Sequence, residues 1–240
     1  MKPAMFISDL HLSESRPDIN DLFFHFLNGR ASHASALYIL GDLFDYWAGD
    51  DDCDAPLNKS VITALAELRA SGVPVNFMHG NRDFLAGDEF SRRSGLTMLP
   101  DLIHITLFGT PTVLLHGDTL CTDDHEYMIF REKIRSASWA ANFLSKPITE
   151  RKAIISGLRR QSEEEKRSKT DLIMDVCTDT VEALLRGLGY PRLIHGHTHR
   201  PARHEHVIDG HLCERWVLAD WCQQGAVLIC DEQGCREEAV

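Results

Sequence analysis

Five short apolar segments of this chain each end in side chains that commonly bind metal ions, and this repeated pattern constrains the fold most strongly. The segments have the length of buried β-strands. The groups that follow them are Ser8-Asp9-Leu10-His11, Gly41-Asp42, His79-Gly80-Asn81-Arg82-Asp83, His116-Gly117-Asp118 and His195-Gly196-His197-Thr198-His199. Because layered α/β sheets collect their sites at the carboxyl ends of the strands, we expect these side chains to converge.

The order of apolar runs and helical patterns predicts the fold class. Strand-length runs occur at 4–7, 36–40, 73–78, 103–108, 112–115, 192–194, 216–219 and 226–230. Helix-period patterns lie between the early runs, which predicts βαβ units and a partly parallel sheet. Turn residues at 109–111 and 209–210 predict hairpins later in the chain. The sum is an α/β (α+β layered) fold, with two packed sheets as one option.

We interpret residues 1–240 as a single domain that carries a helical insertion at about 131–169. The chain has a net charge of −11, which disfavours a nucleic-acid partner. The insertion is different, because it holds a basic cluster that suits a phosphate group or an anionic lipid surface. The basic residues are Lys146, Arg151, Lys152, Arg159, Arg160, Lys166, Arg167 and Lys169.

The cysteines and the absence of long apolar runs bear on the compartment. The 7 cysteines include no C-x-x-C pair, which argues against a disulfide framework or a thiolate zinc site and favours a reducing compartment. The first residues lack a signal-peptide pattern, and no apolar run approaches the ~18 residues of a spanning helix. We therefore expect a cytoplasmic protein that contacts a membrane, if at all, from the side.

The side chains in the five groups suit a centre with two metal ions. The members of Asp9-x-His11 and of His197-x-His199 are two residues apart, so they face the same way in an extended backbone. Asp, Asn and His without Cys suit Mn²⁺, Fe²⁺ or Zn²⁺. A single pair of this kind is more often a surface pair, but the ordered recurrence favours metal. The set is too large for one catalytic ion and suffices for two ions that share a carboxylate.

The five groups between Asp9 and His199, taken in their order along the chain, resemble the signature of the calcineurin-like metallophosphoesterases. The resemblance implies a two-sheet β-sandwich flanked by helices. It also implies a hydroxide, activated by both metals, that attacks phosphorus in line. One ion would be held by Asp9, His11, Asp42 and His199, with Asp42 bridging to a second ion held by Asn81, His116 and His197.

Longer stretches, at 41–51, 80–85, 116–124 and 195–201, are similar to the branch of this family that acts in lipid A synthesis. This similarity implies a hydrolase with two Mn²⁺ ions per subunit. Its substrate would be a UDP-linked diacylated glucosamine, cleaved at the pyrophosphate to UMP and the acylated sugar 1-phosphate. It would lie peripherally on the cytoplasmic face of the inner membrane of Gram-negative bacteria, with the anionic lipid surface as a partner.

Arg82 departs from the pattern of many family members, which have His after the Asn. Arginine stays charged and binds phosphate with two parallel hydrogen bonds, but it cannot supply a proton. We therefore predict that Arg82 clamps the pyrophosphate. The closer similarity implies further substrate contacts from Asn81, Asp124, Ser162, Lys166, Lys169 and His197.

Apolar residues of the insertion have two interpretations. They either line a chamber for the acyl chains or pack the insertion onto the domain. They are Trp139, Phe143, Leu144, Ile148, Ile154 and Ile155. His79 and His195 are predicted to support the metal ligands from behind, and Asp83 and Asp118 either orient histidine ligands or end their strands.

Two alternatives to the lipid pyrophosphatase stay open. The first is a metallophosphoesterase that acts on a soluble nucleotide or phosphoester. The second is a metal-bound scaffold without turnover, which the complete set of seven ligands disfavours. Histidines 204, 206 and 211 are predicted to be surface or loop residues.

Overall fold

The computed structural model describes residues 1–168, 175–222 and 224–240, and the side chains of these residues except those of 161–168. Its helices and strands alternate along the first part of the chain and are grouped later. In chain order they are β1 (Ala4–Ile7), α1 (Pro17–Asn28), β2 (Ala36–Leu40), α2 (Pro56–Ala70), β3 (Val75–Met78), α3 (Asp88–Ser94), β4 (Thr97–Leu99), β5 (Leu102–Leu107), β6 (Thr110–Leu115), α4 (His125–Arg135), α5 (Ala137–Leu144), α6 (Ile148–Ser168), α7 (Thr178–Gly187), β7 (Arg192–His195), β8 (Ala202–Ile208), β9 (His211–Val217), β10 (Ala226–Asp231) and β11 (Gly234–Ala239).

The strands form two sheets. The first has the order β11-β10-β1-β2-β3-β4, and β1 to β4 run parallel. The second has the order β5-β6-β7-β9-β8, in which β6, β7 and β9 run parallel. Parallel neighbours need crossover connections, which α1, α2 and α3 provide in the first sheet. The predicted α/β layered fold with two sheets is confirmed.

Alternating side chains place apolar residues on both faces of the first sheet. In β1, Met5 and Ile7 belong to one buried cluster, which includes residues of α1 and α2. Phe6, between them, belongs to a second cluster that also holds Leu114 and Ile194 from the other sheet. Since successive strand residues point to opposite faces, helices cover one face and the second sheet covers the other.

The structure adds three strands to those expected from the sequence, namely β4, β8 and β11, and β9 replaces the run predicted at 216–219. The strand β8 lies at the edge of its sheet, and its residues are mostly polar and exposed. Edge strands tolerate charged residues, so β8 shows no hydrophobic alternation. His204, His206 and His211, predicted as surface or loop residues, lie in β8 and β9.

The segment predicted as a helical insertion is helical, but its first helix, α4, begins at His125 rather than near 131. Apolar residues at helical spacing from Leu172 to Leu188 predict a further helix, and α7 begins within that pattern, at Thr178. Leu172 and Ile173, at the start of the pattern, lie outside the described residues.

Among the described side chains, four of the eight basic residues of the insertion form ion pairs within the protein, which compensates their charge. Arg151 is 2% exposed and pairs with Asp51. It also donates to the backbone oxygens of Ala48 (2.5 Å) and Lys146 (2.9 Å). The other pairs are Lys152–Asp52 at 2.8 Å, Arg159–Asp45 at 2.6 Å and Lys146–Glu150 at 2.6 Å. The pairs of Arg151, Lys152 and Arg159 hold α6 against the segment that follows β2.

One disulfide joins Cys230 and Cys235, which face each other across the β10–β11 hairpin. A single bridge across one hairpin is not the disulfide framework that the cysteine spacing argued against, and its pairing follows from a hairpin register that cysteine spacing does not reveal. Cys53, Cys121, Cys177, Cys213 and Cys222 are free thiols. Among the described residues, no helix combines the length and the apolar character that crossing a membrane requires.

Candidate metal centre

The carboxyl ends of β1, β2, β3, β6 and β7 meet at one rim of the two sheets. Backbone hydrogen bonds join the loops there, from Asp9 N to Gly41 O (3.1 Å) and from Gly196 N to His116 O (2.8 Å). The ring of His116, in the second sheet, reaches Leu40 O in the first sheet at 2.8 Å. The rim therefore brings together the seven predicted metal ligands, Asp9, His11, Asp42, Asn81, His116, His197 and His199.

Five of these ligands have left-handed backbone conformations. Their φ angles are 56° for Asp9, 50° for His11, 52° for Asp42, 71° for His197 and 55° for His199. For residues with a Cβ this conformation costs roughly 1–2 kcal/mol each. Backbone strain of this kind persists where the surrounding structure enforces it and is concentrated at functional sites.

Two glycines at the rim allow the loops to approach closely. A Cβ on Gly80 would collide with the carboxylate and the backbone nitrogen of Asp42, and one on Gly196 would collide with Ser8 and Asp9. A larger residue would not fit at either position. Glycine is needed there because the backbone packs directly against the side chains of the potential ligands.

Asp9, His11 and His199 form the first group of potential ligands. The two Nε2 atoms of the histidines lie 3.3 Å apart, and Nε2 of His199 lies 3.3 Å from Asp9 Oδ1. Asp9 is fully buried, and its Oδ2 accepts from Ser8 Oγ (2.6 Å) and His197 N (2.8 Å). Among the described residues, its Oδ1 has no hydrogen-bond partner by the usual geometry. An unsatisfied buried carboxylate oxygen is costly, and a cation would satisfy it.

Asp42 stands between that group and a second one. Its Oδ2 lies 3.9 Å from His11 Nε2, and its Oδ1 lies 3.8 Å from His116 Nε2. The carboxylate thus presents one oxygen to each side. Asn81 Oδ1 lies 3.1 Å from His116 Nε2 and 2.9 Å from His197 Nδ1. These distances agree with the arrangement that the family resemblance implies.

The electrostatics of this rim suit cations. Burial lowers the pKa of His11 and of His197 to about 3, so both imidazoles are neutral and have a free lone pair. Burial raises the pKa of Asp42 to about 7. Burial also acts against the His116 imidazolium, but the charges of Asp42 and Asp9 outweigh it and raise this pKa to about 9. Without metal, protons therefore occupy positions that a cation would take, and binding would release them.

Among the described residues, neither Asp83 nor Asp118 accepts a hydrogen bond from a histidine ring, and both lie beyond the ends of β3 and β6 rather than at the strand ends. Asp83 accepts backbone hydrogens from Gly80 and Leu43 at 2.8 Å each and thereby connects the loops after β2 and β3. Asp118 accepts from Arg131 Nε at 2.6 Å and from Tyr127 Oη at 3.1 Å, which ties α4 to the rim.

Sequence reasoning missed two residues that support the ligands. Asp220 Oδ2 lies 3.6 Å from Nδ1 of His199, the ring nitrogen on the far side from Asp9. Arg215 is 6% exposed and donates to His195 Nε2 at 3.1 Å. Asp220 directly follows the apolar run at 216–219, so the rule applied to the other five strands would have found it. Arg215 gave no such signal, because it lies within a strand.

The residues predicted to contact the substrate, beyond the metal ligands, do not all lie at the rim. Arg82 is partly buried and close enough to the rim to affect the electrostatics of His11 and Asp42. Asp124 accepts from Tyr127 N at 3.1 Å and caps α4. The side chains of Ser162 and Lys166, and Lys169 as a whole, lie outside the described residues.

A comparison with family models matches residues 2–201 to the calcineurin-like phosphoesterases. With that match across the fold and the rim of Asp, Asn and His donors, the chain belongs to the calcineurin-like phosphoesterase family.

Individual relatives are similar over almost the whole chain. A UDP-2,3-diacylglucosamine hydrolase of Aromatoleum aromaticum is 54% identical over 96% of this chain and 94% of its own length. A protein of the same name from Cellvibrio japonicus is 47% identical over 96% of both chains. The solved structure of an archaeal phosphodiesterase is 13% identical, covers 99% of each chain and has a TM-score of 0.48. That structural likeness is too distant to bear on function.

Proposed function

We propose that this protein is a UDP-2,3-diacylglucosamine diphosphatase. It hydrolyses the pyrophosphate bond of UDP-2,3-diacylglucosamine to UMP and 2,3-diacylglucosamine 1-phosphate (lipid X) in lipid A biosynthesis. The observation that carries the proposal is the rim itself, where Asp42 directs one oxygen toward His11 and the other toward His116. Relatives named for this substrate match the chain nearly end to end.

Two Mn²⁺ ions fit the donor set, which contains carboxylate, carboxamide and imidazole and no thiolate. Asp9, His11, Asp42 and His199 would hold one ion, and Asn81, His116, His197 and the second oxygen of Asp42 would hold the other. When bound, the ions supply Lewis acidity at phosphorus and a nucleophile at neutral pH. The orphaned Oδ1 of Asp9 supports this assignment independently of the family resemblance.

The chain's own residues then bind and orient the pyrophosphate. The Arg82 guanidinium forms no ion pair among the described side chains, so its donors are available to phosphate oxygens. The backbone N–H of Arg82 donates to Asp42 Oδ1 at 2.8 Å, which keeps this loop against the metal ligands. The permanent positive charge of Arg82 offsets the negative charge that develops on the pyrophosphate.

The acylated half of the substrate fits the side of the rim covered by α4 and α5. Trp139 stacks on Phe143 with ring centres 4.7 Å apart, and Phe84 lies 6.1 Å from Trp139. Phe143 is buried, which supports packing as its role, whereas Ile129 and Phe130 of α4 are exposed. We infer that α4 and α5 present an apolar surface to the acyl chains and to the inner membrane.

An assay of UMP release tests the substrate class. Purified protein loaded with Mn²⁺ is given UDP-2,3-diacylglucosamine in mixed micelles and, separately, UDP-N-acetylglucosamine. We expect turnover of the lipid substrate and little of the soluble one. Equal turnover of both would replace the proposal with a phosphoesterase of soluble substrates, and no turnover of either would favour the scaffold alternative.

Substitution of Arg82 by Ala is expected to raise KM and to lower kcat, together reducing kcat/KM by about a hundredfold, because a charge-assisted contact strengthens in the transition state. Arg82→Lys keeps the charge but loses the paired donors, so its kcat/KM should lie between those of the wild type and Arg82→Ala. Steady-state kinetics measure both constants. Arg236→Ala, at an exposed ion pair on β11, is the matched control. Wild-type kinetics in Arg82→Ala would refute the clamp.

The double variant Ile129→Gln/Phe130→Gln is expected to weaken binding to anionic liposomes by about tenfold or more, since each inserted apolar side chain contributes ~1.5 kcal/mol or more. Flotation with liposomes measures the bound fraction. The control is Val207→Gln/Leu212→Gln, which removes an even more exposed apolar pair from the β8–β9 hairpin. Equal losses in the two variants would contradict a membrane role for α4.

A further inference from the structure

A polar cleft of about 380 Å³ lies next to the candidate metal centre, and its lining includes Leu12, the neighbour of His11. One wall is the loop after β1, with Glu14, and another is the segment after β2, with Asp45 and Tyr46. The start of α2 and the basic side chains of α6 close the remaining walls. A volume of this size lies within the range of small-molecule sites.

The cleft is continuous with the loops that carry the metal ligands. Leu12, next to His11, donates its backbone N–H to Leu43 O at 2.9 Å. Asp45 N donates to Leu12 O at 3.0 Å, so the two loops run side by side from the rim into the cleft wall. A ligand held at His11 and Asp42 would therefore lie next to this wall of the cleft.

The lining chemistry suits a nucleoside rather than an acyl chain. Lys152 pairs with Asp52 and Arg159 with Asp45, so these charges compensate each other and the cleft needs no further phosphate. Carboxylates accept hydrogen bonds from vicinal ribose hydroxyls, as in dinucleotide-binding folds. An aromatic ring such as that of Tyr46 offers a stacking face to a base. An alkyl chain would displace water from these polar groups without making any hydrogen bond to them.

Asn58 adds an acceptor suited to a pyrimidine imide. Its Nδ2 donates to Asp52 O at 3.0 Å, while no hydrogen bond to its Oδ1 is found among the described residues. The N3–H of uracil is a donor of the matching kind, and cytosine lacks it. Phe84 and Trp139, which do not line this cleft, form a separate apolar contact. A substrate with one acylated and one nucleoside end is thus accommodated in one direction only.

We propose that this cleft is the nucleoside subsite, in which Tyr46 stacks on the uracil, Asn58 accepts its imide hydrogen and the acidic side chains bind the ribose. The proposal rests on the proposed function, because it assigns one half of that substrate to a named surface.

The test compares inhibition by the two products in one set of variants. Tyr46→Ala is expected to raise KM and the inhibition constant of UMP by about tenfold, the lower part of the range for loss of base stacking. The inhibition constant of the acylated sugar 1-phosphate should stay within error. Tyr46→Phe keeps the aromatic ring, so it should lose far less affinity for UMP than Tyr46→Ala does. Val207→Ser, 74% exposed on β8, is the surface control.

Two outcomes would overturn the subsite while leaving the proposed function intact. In the first, wild type hydrolyses the lipid substrate, but Tyr46→Ala and Asn58→Ala change neither KM nor inhibition by UMP. In the second, Tyr46→Ala weakens both products equally, which would indicate a damaged rim. Failure of the wild type to hydrolyse the substrate would instead reject the proposed function.

Discussion

Replacing Asp42 by Asn is expected to lower the rate of UMP release by about a thousandfold, the scale of losing a group that acts electrostatically at the reacting centre. The same change should leave the metal-free protein at least as stable as the wild type at neutral pH. The combination of these two effects distinguishes a functional carboxylate from a structural one.

The stability effect follows from the pKa of Asp42. Burial raises this pKa from 3.8 to about 7, and the charges of Asp83 and Asp9 act in the same direction. A raised pKa in the folded state means that stability is present below pH 3.8 and is lost as the pH rises through about 7. Asparagine does not ionise, so the metal-free variant escapes this loss, and its Oδ1 still accepts from Arg82 N.

Thermal unfolding of the metal-free proteins at pH 5 and pH 8 measures the effect. The melting temperature of Asp42→Asn relative to wild type should be higher at pH 8 than at pH 5. Added Mn²⁺ should stabilise the wild type more than the variant, because a ligand stabilises only the state that binds it. Unchanged hydrolysis in Asp42→Asn would favour the scaffold alternative, and strong destabilisation without metal would make the carboxylate structural.

Gly196→Ala is expected to reduce kcat/KM by about a hundredfold, since displacement of a reacting group by about 1 Å has that effect. The added methyl group would collide with Ser8 Oγ and Asp9 Oδ2. Those atoms are hydrogen-bonded to each other at 2.6 Å, and both residues are fully buried, so neither can move away freely. Relief must come from Asp9 or from the loop that carries His197 and His199.

Overpacking of this kind also lowers the free energy of unfolding by about 1–3 kcal/mol. Gly187→Ala is the matched control, because nothing lies within 4 Å of the added Cβ at this position in α7. It should keep full activity and gain up to about 0.5–1 kcal/mol of helix stability. Chemical denaturation, Mn²⁺ affinity and kinetics measure the three effects. Wild-type affinity for Mn²⁺ in Gly196→Ala would show that the close approach does not position Asp9.

Most of the candidate metal centre could be predicted, because each strand and the potential ligands that follow it are neighbours in the sequence. A buried strand shows itself by consecutive apolar residues, and the side chains at its carboxyl end follow within a few positions. Parallel strands bring these ends to a common edge, so Asp9, Asp42 and His116 could be placed near one another from the sequence. The left-handed conformations at Asp9 and Asp42 could not be read in the same way, since the surrounding loops impose them.

The edge strand β8 and the ion pairs of α6 could not be predicted, because both depend on residues that are far apart in the chain or belong to another strand. The strand β8 has a polar pattern typical of a loop and becomes a strand only by pairing with β9. The basic residues of the insertion suggested a lipid-facing surface, but Arg151 is buried against Ala48 and Asp51, about a hundred residues away in the chain. Sequence reasoning assigns charge to a segment without knowing which opposite charges the fold brings to it.

By itself, the sequence determined the family, the layered α/β class and the identity of the seven potential metal ligands, because strand burial and ligand chemistry depend on neighbouring residues. Only the tertiary structure decided which oxygen of Asp42 faces which histidine, that Asp220 and Arg215 contact histidines of the ligand loop, and that a polar cleft adjoins the loop that carries His11. These features depend on distances between residues far apart in the chain, and packing of the two sheets sets those distances.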